Sequence, residues 1–476
     1  MSEIALIDCE IRPPSITDHY YSSAVSEPLG LLYLESFLLM HGIDCSVFKL
    51  PLRTEDWTEI EHSRIVGLSG LTYAWPQMKV LAREIRRRHP DAIIVCGREH
   101  ATCAPEEVLQ ESSIDAVIQG EGEIPLLELA SGEPLENVPS AIYRLADEMV
   151  QANPRAAHPL SETRTTLERR PHWMVNVLTE TSSIHSQMAG LLLGRGCPFK
   201  CTFCTNGQMW GGYHGGDVEE AIREIKAVQA DYGVRYFAFH DLMLNASPQK
   251  LHELARRIIE EQIDAHFYGM MSIVEAEHDF ALLRRAGFIE VGIGIEVPTD
   301  QRREIGKGSG FETVKKFVKG LTDAGIFVRG LFIVGWPWEE SARSVREMYR
   351  FALREIPVNA LRVHFLTPFP GTDVWQKFYG NYTYADQGEE GYKHLTTMEP
   401  VLRFQLTTEA LVEVRQNILR DYYGSRSYAD LIGRQTEWPV SEMNTAYADH
   451  VLSGASTLMS LDSTHPVQSL GGDCAP

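Results

Sequence analysis

The chain has no long uncharged apolar run. Its longest stretch, Leu31 to Met40, is interrupted by Glu35 and is too short to span a bilayer. A basic start is also lacking: Met1-Ser2-Glu3-Ile4 has none of the positive charge of a secretory leader, so a cytoplasmic protein is expected. Positive charge is scarce throughout. Lys and Arg number 44 against 65 Asp and Glu, a net charge of −21, which argues against nucleic acid or an anionic membrane as the main partner. A cationic or neutral small molecule fits better, although a solvated acidic surface accounts for the same excess. Cysteine is sparse as well: of eight, five stand singly at Cys9, Cys45, Cys96, Cys103 and Cys474, the pattern of reduced thiols and not of a disulfide framework. No fixed-period repeat occurs, and only the stretch after Tyr447 is rich in Ser, Gly and Pro. A length of 476 residues predicts two or three domains.

The remaining three cysteines are grouped. Gly194-Arg195-Gly196-Cys197-Pro198-Phe199-Lys200-Cys201-Thr202-Phe203-Cys204 has a CxxxCxxC spacing that puts three thiols in one short loop. Iron–sulfur clusters are normally held by four thiolates, so three leave one iron of a [4Fe–4S] cube open to a ligand that is not protein. A zinc knuckle completed by His214 is the alternative, but zinc motifs usually come as two separated pairs. The spacing, Phe203 before the last cysteine and the preceding Gly-Arg-Gly turn resemble the radical S-adenosylmethionine (SAM) enzymes. That resemblance implies a [4Fe–4S] cluster on Cys197, Cys201 and Cys204, SAM on its open iron, and reductive cleavage to a 5′-deoxyadenosyl radical. It also implies a flavodoxin- or ferredoxin-type electron donor.

Residues 1–152 alternate short apolar runs, at Ile4–Asp8, Cys45–Leu50, Ile65–Ser69, Ala92–Cys96 and Ala116–Gln119, with helical patterns. This predicts a doubly wound parallel α/β sheet, whose ligands sit at the carboxyl ends of the strands. Those ends carry Ser69-Gly70-Leu71-Thr72, Gly97-Arg98-Glu99-His100 and Gly120-Glu121-Gly122-Glu123. The arrangement resembles the cobalamin-binding domain that precedes the radical core in one branch of the superfamily, and implies Ser69, Leu71, Gly97, His100 and Gly120 as cobalamin contacts. Tyr73 and Trp75 would then lie under the corrin, with His100 on the same rim; each also reads as an ordinary core or loop residue. The sequence departs from the pattern twice. Asp18-His19 does not form the DxHxxG motif that supplies a histidine to cobalt elsewhere, and Gly97-Arg98 replaces the usual Gly-Gly, putting a long side chain where the cofactor's tail would approach the backbone.

A polar link at 153–185, with Arg164, Arg169 and Arg170, precedes a second periodic region at 186–400. Six apolar runs, starting near Gly190, Tyr236, Ala265, Glu290, Phe327 and Ala360, alternate with helices. The series resembles the partial (β/α)6 TIM-type barrel of radical SAM enzymes, with its chemistry on the loops after the strands. The first strand leads to the cysteines and then to Trp210-Gly211-Gly212-Tyr213-His214-Gly215-Gly216, expected as a flexible loop, with Asp217 suited to a helix N-cap. By resemblance Phe203, Asp241, Gly294, Glu296, Ile333 and Gly335 contact SAM: Asp241 at its amino group, Gly294-Ile295-Glu296 beside its ribose and carboxylate, and the backbone at Ile333–Gly335 at adenine. Each has a bland counterpart, Asp241 as a cap and the glycines as turn formers. Glu296, His364, Tyr213 and His240 are the candidate acid–base residues. A mainly helical segment at 401–476, including a helix over Thr407–Tyr423, is expected to close the barrel's open side.

By resemblance the expected reaction is hydrogen removal from an unactivated carbon of a small molecule, a natural product or amino sugar, followed by cobalamin-dependent C-methylation. The alternative, motivated by Gly97-Arg98 and the acidic charge, is radical dehydration, epimerisation or cyclisation of an amino-sugar type of substrate without methyl transfer, with or without cobalamin, the N-terminal domain then serving as scaffold. A cobalamin or iron sensor would be a third class, but no basic or DNA-binding segment accompanies it.

Overall fold

The computed structural model describes residues 2–10, 28–145, 149–154 and 188–425. Asp18 and His19, the expected link apart from Asn153 and Pro154, the Thr407–Pro476 region beyond Ser425, and Cys474 lie outside the described residues.

Seven strands form the N-terminal sheet: β1 (Ile4–Asp8), β2 (Cys45–Lys49), β3 (Ile65–Ser69), β4 (Ile93–Gly97), β5 (Ala116–Ile118), β6 (Ala141–Leu145) and β7 (Met149–Ala152). Their order is β2-β1-β3-β4-β5-β6-β7, with β1 to β5 parallel. β1 and β3 are buried along their whole length and, apart from Asp8 and Ser69 at their carboxyl ends, carry no polar side chain, as expected of strands covered on both faces. The antiparallel pair β6–β7 was not anticipated, because Arg144 interrupts the apolar pattern. Its guanidinium gathers the carbonyls of Leu109, Glu111, Ser112 and Ile114, which keeps a charged side chain compatible with that edge.

The second sheet contains β8 (Met188–Leu191), β11 (Tyr236–Phe239), β12 (His266–Met271), β13 (Phe288–Glu296), β14 (Phe327–Val334) and β15 (Ala360–Phe365). They run all parallel in the order β15-β14-β13-β12-β11-β8, each joined to the next by a helix. This is the βα alternation expected of a partial barrel, and it puts every loop after a strand at one end. Asp217 caps the helix Val218–Tyr232 by accepting the Glu219 N–H at 2.7 Å. The helix Thr408–Tyr423 packs on the edge strand β15: Tyr423 Oη is 2.8 Å from both the Leu361 N and O atoms, and Arg415 Nε donates to Val363 O at 2.7 Å. Backbone groups on that edge are thereby paired within the chain.

Two short strands, β9 (Gly194–Gly196) and β10 (Tyr213–Gly215), pair antiparallel beside the six-stranded sheet. Tyr213–Gly215 is therefore a strand and not part of a flexible loop. The pairing depends on glycine: Gly196 has φ +76°, and a Cβ there would fall on the Gly212 carbonyl.

One hydrophobic core joins the two sheets. It runs from Ile7, Leu68, Trp75 and Cys96 of the N-terminal unit to Ile305, Ile333, Trp336 and Leu366 of the second, and on to Val374, Tyr392 and Val401 of the segment that follows β15. No helix among the described residues is long and apolar enough to cross a membrane.

Candidate active site

β9 ends at Gly196, and Cys197, Cys201 and Cys204 follow on the loop. Cys197 and Cys201 are half-buried and Cys204 is exposed. Cys197 Sγ lies 3.8 Å from Met243 Sδ and Cys201 Sγ 3.9 Å from the Gly306 carbonyl, so both thiols have only weak protein contacts. Burial pushes both above the ordinary thiol range, and a bound metal cluster would release their protons. His214 does not join them; its Nε2 lies 3.1 Å from the Trp210 carbonyl. Among the described residues no group of three or more His, Cys, Asp or Glu is arranged around a single metal ion. Three thiols on one loop are the ligand set that a cluster with one open iron requires.

The loop is held from three sides. From β11, Asp241 is 3% exposed and its two carboxylate oxygens accept the N–H groups of Leu193 (2.9 Å) and Gly194 (2.6 Å). The expected SAM-amino partner is thus also a clamp on the backbone that leads to Cys197. Tyr213 lies beside it, its hydroxyl buried without a partner among the described residues and pushed up to about 12 by burial and by Asp241. At neutral pH it remains a proton donor.

From β13, the chain bends at Glu296, which has φ +62° and sits at a register shift against β14. Its carboxylate pairs with Lys307 at 3.0 Å. A Cβ on Gly294 would lie 2.5 Å from Glu296 Oε1 and 2.7 Å from Lys307 Nζ, which explains a glycine there. Burial alone would lower the Lys307 ammonium; Glu296 and Cys201 more than offset it and hold the group above its ordinary value. Gly306, with φ +85°, lets this loop touch the cysteines: a Cβ there would be 2.5 Å from Lys200 O. Arg302, fully buried, donates to Ile295 O, to Ser309 O at 3.3 Å and to Ser309 Oγ at 3.2 Å, and so fixes the loop's shape. Sequence reasoning missed Lys307 and Arg302. The available signal was a lysine between two glycines in Gly306-Lys307-Gly308, on the loop after the Gly-Ile-Glu element.

From β14, Phe203 meets Trp336 edge-on at 5.9 Å, and Trp336 stacks on Trp338 at 4.9 Å. Here the structure differs from the expectation of an adenine-reading backbone. The Ile333 carbonyl already accepts from Trp336 Nε1 and Tyr349 Oη, each at 2.9 Å, which fills both lone pairs. The Gly335 N–H donates to Glu339 at 2.6 Å, as does that of Trp336 at 3.2 Å. Glu339 had not been anticipated. Its second oxygen is buried without a partner among the described residues, and burial lifts the carboxyl to about 7 against the pull of the two N–H groups.

The other acid–base candidates are spread out. His364 is on β15 with Nδ1 3.2 Å from Thr397 Oγ1, and His240 is exposed at the end of β11.

At the carboxyl edge of the N-terminal sheet, Arg98 has φ +72°, a conformation suited to glycine. Its guanidinium turns back to Glu10 (2.5 Å) and Asp8 (3.9 Å) on the end of β1. Ser69 is buried at the end of β3, Leu71 is half-buried beyond it, and Gly97 leads into Arg98. Gly120, with φ +82°, donates its N–H to Thr102 Oγ1 at 3.2 Å. His100 is not on a rim. It is 0% exposed, 5.0 Å from Trp75 and 5.7 Å from Tyr392, because residues 385–394 cover this face. Both its ring nitrogens and Trp75 Nε1 are buried without partners among the described residues.

The model of the radical SAM superfamily matches residues 191–352, and that of the B12 binding domain matches residues 22–130. The chain is a radical SAM enzyme with a B12-binding domain. The enzyme is 25% identical over 413 residues to an uncharacterized methyltransferase of Pyrococcus horikoshii, covering 83% of this chain and 87% of that one. It is 27% identical over 376 residues to the anaerobic magnesium-protoporphyrin IX monomethyl ester cyclase of Rubrivivax gelatinosus, covering 74% and 66%. In fold it resembles the radical SAM methyltransferase TsrM of Kitasatospora setae, solved with cobalamin and a [4Fe–4S] cluster, at a TM-score of 0.72 and 17% identity over 95% of this chain and 100% of that one. The cobalamin-dependent radical enzyme OxsB, with aqua-cobalamin and SAM bound, aligns at 0.61 and 16% identity, covering 84% and 57%. The enzyme's cofactors are accordingly a [4Fe–4S] cluster and SAM in the radical SAM domain, with cobalamin for the B12-binding domain.

Proposed function

We propose that the enzyme removes hydrogen from an unactivated carbon of a small molecule, of natural-product or amino-sugar type, and methylates that carbon. When bound, the cluster and SAM supply a 5′-deoxyadenosyl radical, and cobalamin supplies a methyl group. Cys197, Cys201 and Cys204 would hold the cluster. Lys307 and Glu296 offer opposite charges to the carboxylate and amino groups of SAM, Asp241 keeps the loop in place, and Phe203 and Trp336 wall the site against water. The Tyr213 hydroxyl holds a proton next to Asp241, while Glu296, His364 and His240 are the remaining proton-handling candidates. A flavodoxin- or ferredoxin-type protein is the proposed electron donor.

The observation that carries methylation over the cobalamin-free alternative is at Arg98. It takes a glycine-like conformation and turns its side chain to Asp8 and Glu10, so the backbone path at Gly97-Arg98 is kept. Anaerobically reconstituted protein should retain a stoichiometric amount of cobalamin after desalting, read from its absorption spectrum and corrin content. Active SAM cleavage with no cobalamin retained would overturn methylation and favour dehydration, epimerisation or cyclisation.

A further inference from the structure

Arg195 of β9 and the acids Glu121 and Glu123 have no part in the chemistry above, yet the structure brings them together. Arg195, two residues before Cys197, is 7% exposed, and its guanidinium reaches Glu123 at 2.5 Å and Glu121 at 3.4 Å. Glu123 is 3% exposed and begins the helix Glu123–Ala130 of the B12-binding domain. Trp210, on the far side of the cysteine loop, places its ring 6.0 Å from the same guanidinium. The contact belongs to a larger buried polar seam between the domains. Tyr33 Oη donates to Glu224 at 2.8 Å, and Thr205 Oγ1, next to Cys204, donates to Glu99.

A buried ion pair is a poor source of stability, because desolvating the charges offsets most of their attraction. Two carboxylates on one guanidinium leave an excess negative charge, which makes this group still less suited to stabilisation alone. A planar fork addressing two acids does fix direction, since five donors in rigid geometry admit few arrangements. We propose that Arg195 is a positioning residue that locks the cysteine loop to the B12-binding domain through Glu121 and Glu123, and so sets the spacing between the two cofactor sites. The proposal rests on the two-cofactor function above.

Two variants test it. Arg195→Met with Glu121→Gln and Glu123→Leu replaces the charged group with apolar and neutral side chains of similar bulk, which stability alone would tolerate. Arg195→Lys keeps the charge but loses the fork. Each is compared with wild type at equal iron content. Amide hydrogen exchange should become about tenfold faster or more in both 120–130 and 194–210, in step, for the triple variant and to a smaller degree for Arg195→Lys. In cobalamin-loaded protein, the pulsed-EPR distance distribution between reduced cluster and cob(II)alamin should broaden. Unchanged exchange in both variants, or loosening of one side only, overturns the proposal. If wild type binds no cobalamin, the proposed reaction fails, while the exchange measurement still decides the part played by Arg195.

Discussion

Glu339 offers a quantitative test of the site's electrostatics through the variant Glu339→Gln. The side chain is 4% exposed, two backbone N–H groups share one of its oxygens, and burial lifts its carboxyl from 4.5 to about 7. Between those pH values the folded protein keeps a proton that the unfolded chain releases. Folding is thus favoured in full below pH 4.5 and loses that contribution as pH rises through 7. At about 1.36 kcal/mol per pH unit, the loss amounts to about 3 kcal/mol. Glutamine keeps an oxygen for the Gly335 and Trp336 N–H groups but cannot ionise. Its unpartnered amide introduces a constant offset, and the diagnostic is the slope. Urea unfolding of the apoprotein, followed by fluorescence of the adjacent Trp336–Trp338 stack, should show the variant gaining on wild type from pH 4.5 to 7 and level above it. A difference between the two proteins that is flat over this range, or that grows toward acid, would refute the reasoning.

His100→Leu should show the opposite trend. Burial holds His100 neutral down to about 3, whereas the unfolded chain takes up a proton near 6.5, so wild-type stability falls as pH drops below 6.5. The variant should gain about 1.4 kcal/mol per pH unit below that point in the same unfolding assay, and a gap independent of pH would mean that His100 is solvated or paired. Gly294→Ala should cost roughly 1–3 kcal/mol and weaken SAM retention in equilibrium dialysis, because the new methyl displaces Glu296 and Lys307. Unaltered SAM retention would remove that ion pair from the binding site. Replacing Cys197, Cys201 and Cys204 together by Ala should abolish both iron content and 5′-deoxyadenosine formation; persistence of SAM cleavage would be incompatible with the cluster assignment.

Much of this architecture was legible in the linear order of residues. Apolar runs such as Ile4–Asp8, Ile65–Ser69 and Phe327–Val334 become strands because both their faces are covered, so local pattern and tertiary burial coincide. The cysteine spacing is a local property of one loop, and Asp217 was recognisable as a cap for the same reason. What only the tertiary structure decided concerns groups far apart in sequence. His100 reads as a loop histidine until Trp75 and Tyr392 enclose it. The hairpin β9–β10 exists because glycines let two segments approach, and neither segment has a strand pattern. Lys307 becomes part of the site through its pairing with Glu296, and Arg195 through two acids more than 70 residues earlier in the chain. Periodicity is set by neighbours along the chain, so sequence determined the parallel strands, their helices and the cysteine loop. Charge pairing, burial and close backbone approach depend on which elements pack together, and those were settled only by the fold.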